Sequence, residues 1–98
     1  MDIIKKIQDW YKSNCNGDWE HDWGVKIGTI DNPGWSVEIN LNATILESKR
    51  FKEVKYNYKK EDDWYRCWIE NKAWRGVGSP QHLETILKIF LDWARHEN

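Results

Sequence analysis

Residues with side chains suited to metal binding or acid–base chemistry cluster near the amino terminus: Asp18, Glu20, His21 and Asp22. Metal ligands usually converge from several elements, and the chain lacks the HExxH, CxxC and EF-hand spacings. Glu20 and His21 have the residue types of an acid–base pair, but neither a nucleophile nor a phosphate-binding loop accompanies them. We therefore predict no metal, no cofactor and no enzymatic activity.

Two interpretations of this segment are open, a local structural brace and a recognition surface. Trp19 and Trp23 stand among the carboxylates, and large aromatic rings beside charged groups can serve either purpose. In a brace, Asp18 would cap a turn, and Glu20 or His21 would pair locally. In a recognition surface, residues 18–23, called the acidic corner below, would bind a partner.

Two further tryptophans belong to a second candidate surface. A strand over residues 64–70 places Tyr65, Cys67 and Ile69 on one face and Trp64 and Trp68 on the other. If helices cover the first face, both indoles are left towards solvent, and an exposed aromatic patch usually marks a partner interface. The alternative is that segment 42–50, which we interpret as a loop, folds over them.

A basic run at residues 49–60 holds six basic residues and one acidic residue, with aromatic residues between them. This mixture would suit a small nucleic-acid-binding module, because bases stack on aromatic rings. It would equally suit a solvated strand whose lysines discourage edge-to-edge aggregation. Three acidic residues follow at 61–63, and the whole chain has 15 basic and 16 acidic residues. This balance is atypical of polyanion binders, so we do not expect nucleic acid as the partner.

The elements that position these residues follow from the hydrophobic periodicity. Helical spacing predicts a first helix after Asp2 and a last helix after Ser79-Pro80, with Asp2 and Ser79 as N-caps. Between the helices, alternation predicts five strands, at residues 23–29, 35–41, 51–60, 64–70 and 73–77.

The connections complete the predicted fold. Pro33-Gly34 predicts a type II turn within a loop of about four residues between the first two strands. Short connections between successive strands predict an antiparallel meander. We therefore expect an α+β fold, with a single antiparallel sheet of about five strands and both terminal helices packed on one face.

Length and composition limit the class of protein. The chain of 98 residues fits one domain, and its net charge is −1. No apolar run approaches the roughly 20 residues that span a bilayer, and the amino terminus lacks the apolar stretch of a signal peptide. The cytoplasm is therefore the expected location. Cys15 and Cys67 have no paired spacing, and we expect free thiols there.

Several segments together resemble the immunity protein 53 family, small bacterial proteins encoded beside polymorphic toxins. The resemblance lies in Cys15-Asn16-Gly17-Asp18-Trp19-Glu20-His21, in Gly24-Val25-Lys26-Ile27 and in Thr29-Ile30-Asp31-Asn32-Pro33-Gly34-Trp35. It continues through Trp64, Cys67, the Gly76-x-Gly78 turn and the last helix, and so covers nearly the whole chain. The resemblance implies an antitoxin without enzymatic activity that binds a cognate toxin domain. Asp18, Trp19, Glu20, His21, Asp22, Trp64 and Trp68 are then our candidate contact residues.

Overall fold

The computed structural model describes residues 2–57 and 62–95. Along the chain, a helix at each end flanks five strands. In chain order the elements are α1 (Ile3–Asn14), a short helix α2 (Trp19–Asp22), β1 (Val25–Ile30), β2 (Gly34–Asn40), β3 (Val54–Tyr56), β4 (Tyr65–Glu70), β5 (Ala73–Gly78), a 3-10 turn (Pro80–His82) and α3 (Leu83–Arg95). The predicted α+β class is confirmed. The third strand is shorter than the predicted residues 51–60, because residues 51–53 and 57 are not part of β3, and residues 58–60 lie outside the described residues.

The five strands form one antiparallel sheet, as predicted, but their order is β1-β2-β5-β4-β3 rather than that of a continuous meander. β2 pairs with β5, from Trp35 opposite Gly78 to Asn40 opposite Ala73. The chain therefore leaves β2 and crosses to the far edge of the sheet before β3 begins. Segment 42–50 makes this crossing as a series of turns, and Leu46 anchors it in the core.

Both helices cover the same face of the sheet, called the covered face below. From the strands, Val37, Ile39, Cys67 and Trp74 point into one cluster of buried residues. From the helices, the same cluster receives Ile3, Ile7, Ile86, Leu87, Phe90 and Leu91. Trp74 lies at its centre with no exposed surface, and its ring meets Phe51 and Phe90 edge to face. The predicted packing of both helices on one face is confirmed.

The two helices begin differently. Asp2 caps α1 as predicted, because its carboxylate accepts a hydrogen bond from the Lys5 amide at 3.0 Å. Ser79 was predicted to cap the last helix and does not. Its buried hydroxyl accepts a hydrogen bond from the Trp64 amide and donates one to the Trp64 carbonyl, so it holds the start of β4 instead. A 3-10 turn then leads into α3.

The connection between β1 and β2 is tighter than the predicted type II turn. Ile30 pairs with Gly34, so only Asp31, Asn32 and Pro33 form the loop, and the Asn32–Pro33 peptide bond is cis. Gly34 lies in β2 and does not adopt the left-handed conformation. Glycine is required there for space, because a Cβ atom would run into the carbonyl oxygen of Gly78.

Both cysteines are free thiols, as predicted, with Cys15 exposed and Cys67 buried. Burial raises the pKa of the Cys67 thiol to about 12. Among the described residues, no helix has the length and apolar character needed to cross a membrane.

Candidate functional site

The acidic corner begins with a turn that Asn16 organises. The Asn16 side-chain oxygen accepts hydrogen bonds from the amides of Asp18 at 3.0 Å and Trp19 at 2.9 Å. Asp18 occupies the N-cap position of α2, but its side chain makes no capping hydrogen bond. The predicted capping role of Asp18 therefore belongs to Asn16, two residues earlier, and the Asp18 carboxylate is left exposed to solvent.

Trp19 anchors the corner to the rest of the fold. Only 4% of its surface is exposed, and its indole N–H donates a hydrogen bond to the Asn42 carbonyl at 2.8 Å. Its ring packs edge to face on Trp10 of α1, with the ring centroids 6.1 Å apart. Because the indole is enclosed and its donor is paired, the Trp19 side chain joins α2 to α1 and to the crossing segment.

Glu20 braces the turn from the other side. Its two carboxylate oxygens accept hydrogen bonds from the amides of Asn16 at 2.9 Å and Gly17 at 2.8 Å. Backbone hydrogen bonds, from its own amide and then from those of Asn16 and Gly17, lower the pKa of the Glu20 carboxyl, and the neighbouring His21 adds to this effect. The brace interpretation thus describes Trp19 and Glu20.

The remaining side chains of the corner face solvent. Asp18, His21 and Asp22 are exposed, and 37% of the surface of Trp23 is accessible. His21, Asp22 and Trp23 line an open cleft of about 540 Å³, whose other walls include Tyr11 of α1 and Lys26 and Glu38 of the sheet. Carboxylates and exposed rings around a cleft are the groups that would accept cationic or aromatic side chains from a partner.

The cleft continues onto the sheet face opposite the helices, called the open face below. The strand registers align four residues in a row across it: Lys26 of β1, Glu38 of β2, Arg75 of β5 and Trp68 of β4. Arg75 Nη1 lies 3.3 Å from Glu38 Oε1. The guanidinium of Arg66 lies over the Trp68 ring, 4.1 Å from its centroid, and the Trp68 indole N–H donates to Glu70 at 3.1 Å.

Trp64 and Trp68 therefore have different surroundings. Trp68 is half-buried by polar neighbours on the open face, and the crossing segment does not cover it. That segment makes its contacts on the covered-face side, where Leu46 enters the core and the Lys49 ammonium donates to the Trp93 carbonyl at 2.6 Å. Trp64 stands before the start of β4, at the end of the strand away from Trp68, and is also half-buried.

Trp64 precedes β4 and stands apart, and the other candidate residues form two groups, the acidic corner at the start of β1 and Trp68 on β4. Lys26, Glu38 and Arg75, which connect them, were not among the predicted site residues. The alternation of β1 and β2 placed Lys26 and Glu38 away from the core, but only the pairing of β2 with β5 brings Arg75 and Trp68 into line with them.

A separate polar cluster lies at the start of α3. His82 Nε2 contacts Asp63 Oδ1, and His82 Nδ1 lies 3.4 Å from the Thr85 hydroxyl. The Tyr65 ring packs against the imidazole, with the ring centroids 5.0 Å apart. The Asp63 and His82 side chains are 19 positions apart in the chain, and their contact ties the start of β4 to the last helix. Within residues 2–57 and 62–95, no group of three or more His, Cys, Asp or Glu residues is placed to hold a metal ion.

These features define a small α+β domain with an exposed, charged and aromatic surface beside a corner held by hydrogen bonds. The family model described as immunity protein 53 matches residues 4–95, and the chain belongs to this family. Comparisons with curated proteins and with solved structures found no match.

Proposed function

We propose that this protein is an antitoxin that neutralises a cognate polymorphic toxin by binding the toxin domain stoichiometrically in the cytoplasm of the producing cell. Membership of the immunity protein 53 family over residues 4–95 is the observation that carries this proposal. No reaction is assigned to the protein itself. Neutralisation by occlusion needs only a stable surface complementary to the toxin.

The surface that we propose for toxin binding combines the acidic corner, its cleft and the row Lys26-Glu38-Arg75-Trp68 on the open face. Neighbouring strands lie about 4.8 Å apart, so the three spacings from β1 to β4 put Trp68 roughly 14 Å from Lys26. A standard protein interface covers about 800 Å² of each partner, which is enough for one toxin domain to contact both groups.

The residues of this surface would contribute in different ways. Exposed charges such as Asp18 and Asp22 mainly speed association and select the partner. An indole that a partner covers slows dissociation, because its burial removes a large apolar area from water. Trp68 suits this role, since Arg66 and Glu70 already fix the position of its ring.

The test uses the toxin domain encoded beside the immunity gene. We expect Trp68→Ala to weaken binding of that domain by about 30-fold, equivalent to about 2 kcal/mol. Asp18→Ala and Asp22→Ala should each slow association and reduce rescue of cells that express the toxin. Binding kinetics and cell survival measure both effects.

Asp92→Ala is the matched control, because Asp92 is an exposed carboxylate on α3 whose ion pair with Lys88 lies away from the open face. It should leave binding and rescue unchanged. Failure of the wild-type protein to bind the neighbouring toxin domain would contradict the proposed function. If the Trp68, Asp18 and Asp22 variants bind the toxin domain as tightly as the wild type, the interface lies elsewhere on the protein.

The contacts made by the basic run support a nucleic-acid-binding function less well than the family match supports toxin binding. The Phe51 ring packs against Trp74 and Trp93 rather than facing outward. The Lys49 ammonium donates to the Trp93 carbonyl and lies 5.5 Å from the centroid of the Trp93 ring. Lys55 and Arg66 share the Glu53 carboxylate. The Phe51 ring and the Lys49 and Lys55 ammonium groups are thus engaged within the protein.

A further inference from the structure

The two edges of the sheet differ in their protection against pairing with another strand. β3 has three residues, and its Lys55 lies 3.8 Å from the Glu53 carboxylate. β1 has six residues, contains no proline and carries one charged residue, Lys26. Natural proteins usually shorten edge strands or interrupt them with prolines, bulges or charges, because a long open edge is a template for strand pairing.

The outer side of β1 presents unpaired backbone groups. The Asn40 amide donates to the Gly24 carbonyl at 3.0 Å, so Gly24 directs its backbone groups towards β2. Backbone direction alternates along an antiparallel strand. Val25, Ile27 and Thr29 therefore point their N–H and C=O groups away from the sheet. In the part of the chain that the structure describes, no strand pairs with that side.

The side chains along β1 leave room for a neighbouring strand. Ile27 exposes 42% of its surface in the middle of the strand. At Gly28, an added Cβ atom would meet no atom within 4 Å. The half-exposed isoleucine shows that the helices do not fully cover this edge on the covered face, and the unobstructed glycine shows that no neighbouring atom blocks it on the open face. An approaching strand would bury the Ile27 side chain.

We propose that β1 pairs antiparallel with β1 of a second copy of this chain, about a two-fold axis at Ile27. In this register Ile27 faces Ile27 of the second copy, and Val25 faces Thr29 of the second copy. Lys26 faces Gly28 of the second copy, so no like charges are opposed. Val25, Ile27 and Thr29, whose backbone groups point outward, each form a hydrogen-bonded pair with the second copy. Each of these three pairs contributes two hydrogen bonds, about six in total.

The neighbouring registers are less favourable. Shifting the two-fold axis to Lys26 would place two ammonium groups directly opposite each other, which is destabilising. Shifting it to Gly28 would oppose two glycines and leave part of the outward backbone unpaired. Only the axis at Ile27 pairs all the outward groups of β1 and opposes two apolar side chains. A symmetric pairing of this kind closes into a dimer, so it does not propagate into a filament.

The expected dimer is weak. A contact made mainly by one pair of strands lies at or below the small end of specific interfaces, about 1,200 Å² in total. We therefore expect a monomer–dimer equilibrium in the micromolar range. The proposal does not depend on toxin binding, because it needs only the chain itself.

Sedimentation equilibrium of the full chain measures the association directly. The wild-type mass should rise from 11.9 kDa towards twice that value across the micromolar range. Ile27→Lys alone and Ile27→Glu alone should each weaken self-association by roughly tenfold, because the two-fold axis opposes like charges at this position. An equimolar mixture of the two variants should recover a dimer, since unlike charges then face each other.

Ile45→Lys provides the matched control, because Ile45 is 96% exposed on the crossing segment and lies outside β1. This variant should dimerise like the wild type. Circular dichroism of each variant checks that the fold is retained. A wild-type protein that stays at the single-chain mass throughout would overturn the proposal. So would unchanged dimerisation of the Ile27 variants, or a mixture that does not associate.

Discussion

At the scale of single residues, the acidic corner divides into side chains that hold the fold and side chains that face solvent. Trp19 is enclosed and bonded to Asn42, and Glu20 accepts two backbone amides. Asp18 and Asp22 are exposed beside them. The short segment 18–22 thus combines both roles. Substitutions at neighbouring positions should consequently give opposite results in stability and binding assays.

Glu20→Gln should lower the melting temperature by a few degrees at neutral pH and leave toxin rescue close to wild type. The backbone amides lower the pKa of the Glu20 carboxyl in the folded protein, so its stabilising effect is present above the unfolded pKa of about 4.3. That effect is lost as the pH falls through the lower folded value. The difference from wild type should therefore shrink on acidification, which thermal unfolding at several pH values measures.

Asp22→Asn is the control for this experiment, because the Asp22 carboxylate lies on the same helix and accepts neither of the two amide hydrogen bonds that hold Glu20. It should change the melting temperature little. Loss of rescue by Glu20→Gln without loss of stability would instead place Glu20 in the toxin interface.

At the scale of the elements, a glycine lets helix α3 lie close to the sheet. Gly76 sits on the covered face of β5, between Val37 and Cys67 in the strand registers. A Cβ atom there would collide with the Cγ2 methyl of Ile86 and come within 3.2 Å of the Trp74 ring. The sequence pattern Gly76-x-Gly78 therefore reflects the packing of α3 on the strand as well as the end of the strand.

Gly76→Ala should destabilise the protein by about 1–3 kcal/mol, because overpacking forces neighbouring side chains or backbone to move. Ile86→Ala alone should cost about 2–5 kcal/mol through the cavity that it leaves. The double variant should cost less than the sum of the two, since removal of Cγ2 makes room for the new methyl group. Urea unfolding of the four proteins measures this coupling.

Gly28→Ala is the matched control, because Gly28 is also a strand glycine and an added Cβ atom meets nothing within 4 Å there. It should change stability by less than about 1 kcal/mol. Strict additivity of the Gly76 and Ile86 substitutions would show that α3 does not depend on this close approach.

At the scale of the whole molecule, charges of both signs are interspersed. The 15 basic and 16 acidic residues give a net charge of −1. Ion pairs join Lys5 to Asp9, Arg66 to Glu53, Lys72 to Glu47 and Arg75 to Glu38. Interspersed charges of both signs produce an electrostatic field too weak to attract polyanions over long distances. At close range, the same charges can distinguish one protein partner from another.

Labelled single- and double-stranded oligonucleotides should therefore bind no more tightly than about 100 µM at physiological salt, the weak end of non-specific binding. Arg50→Glu and Lys52→Glu, at exposed positions of the basic run, should not change this result. Fluorescence anisotropy measures the binding. Tight association that weakens steeply with salt, and that these substitutions abolish, would favour the nucleic-acid-binding alternative.

Local chemistry in the sequence determined the two terminal helices and most of the strands, although it predicted neither α2 nor the short length of β3. The apolar stripe Leu83, Ile86, Leu87, Phe90 predicted α3, the alternation Val37, Ile39, Leu41 predicted β2, and Asp2 predicted the start of α1. These signals depend on a few neighbouring residues, and the structure confirms them. Membership of the family was also visible in short segments such as Trp19-Glu20-His21.

Only the tertiary structure decided how the elements meet, because pairing between distant strands leaves no local signal. The crossing segment sends β3 to the far edge, which pairs β2 with β5 and aligns Lys26, Glu38, Arg75 and Trp68. The role of Ser79 likewise depended on Trp64, 15 positions away. The surroundings of Trp19 were also decided by Asn42 and Trp10, which the fold brings beside its indole from other parts of the chain.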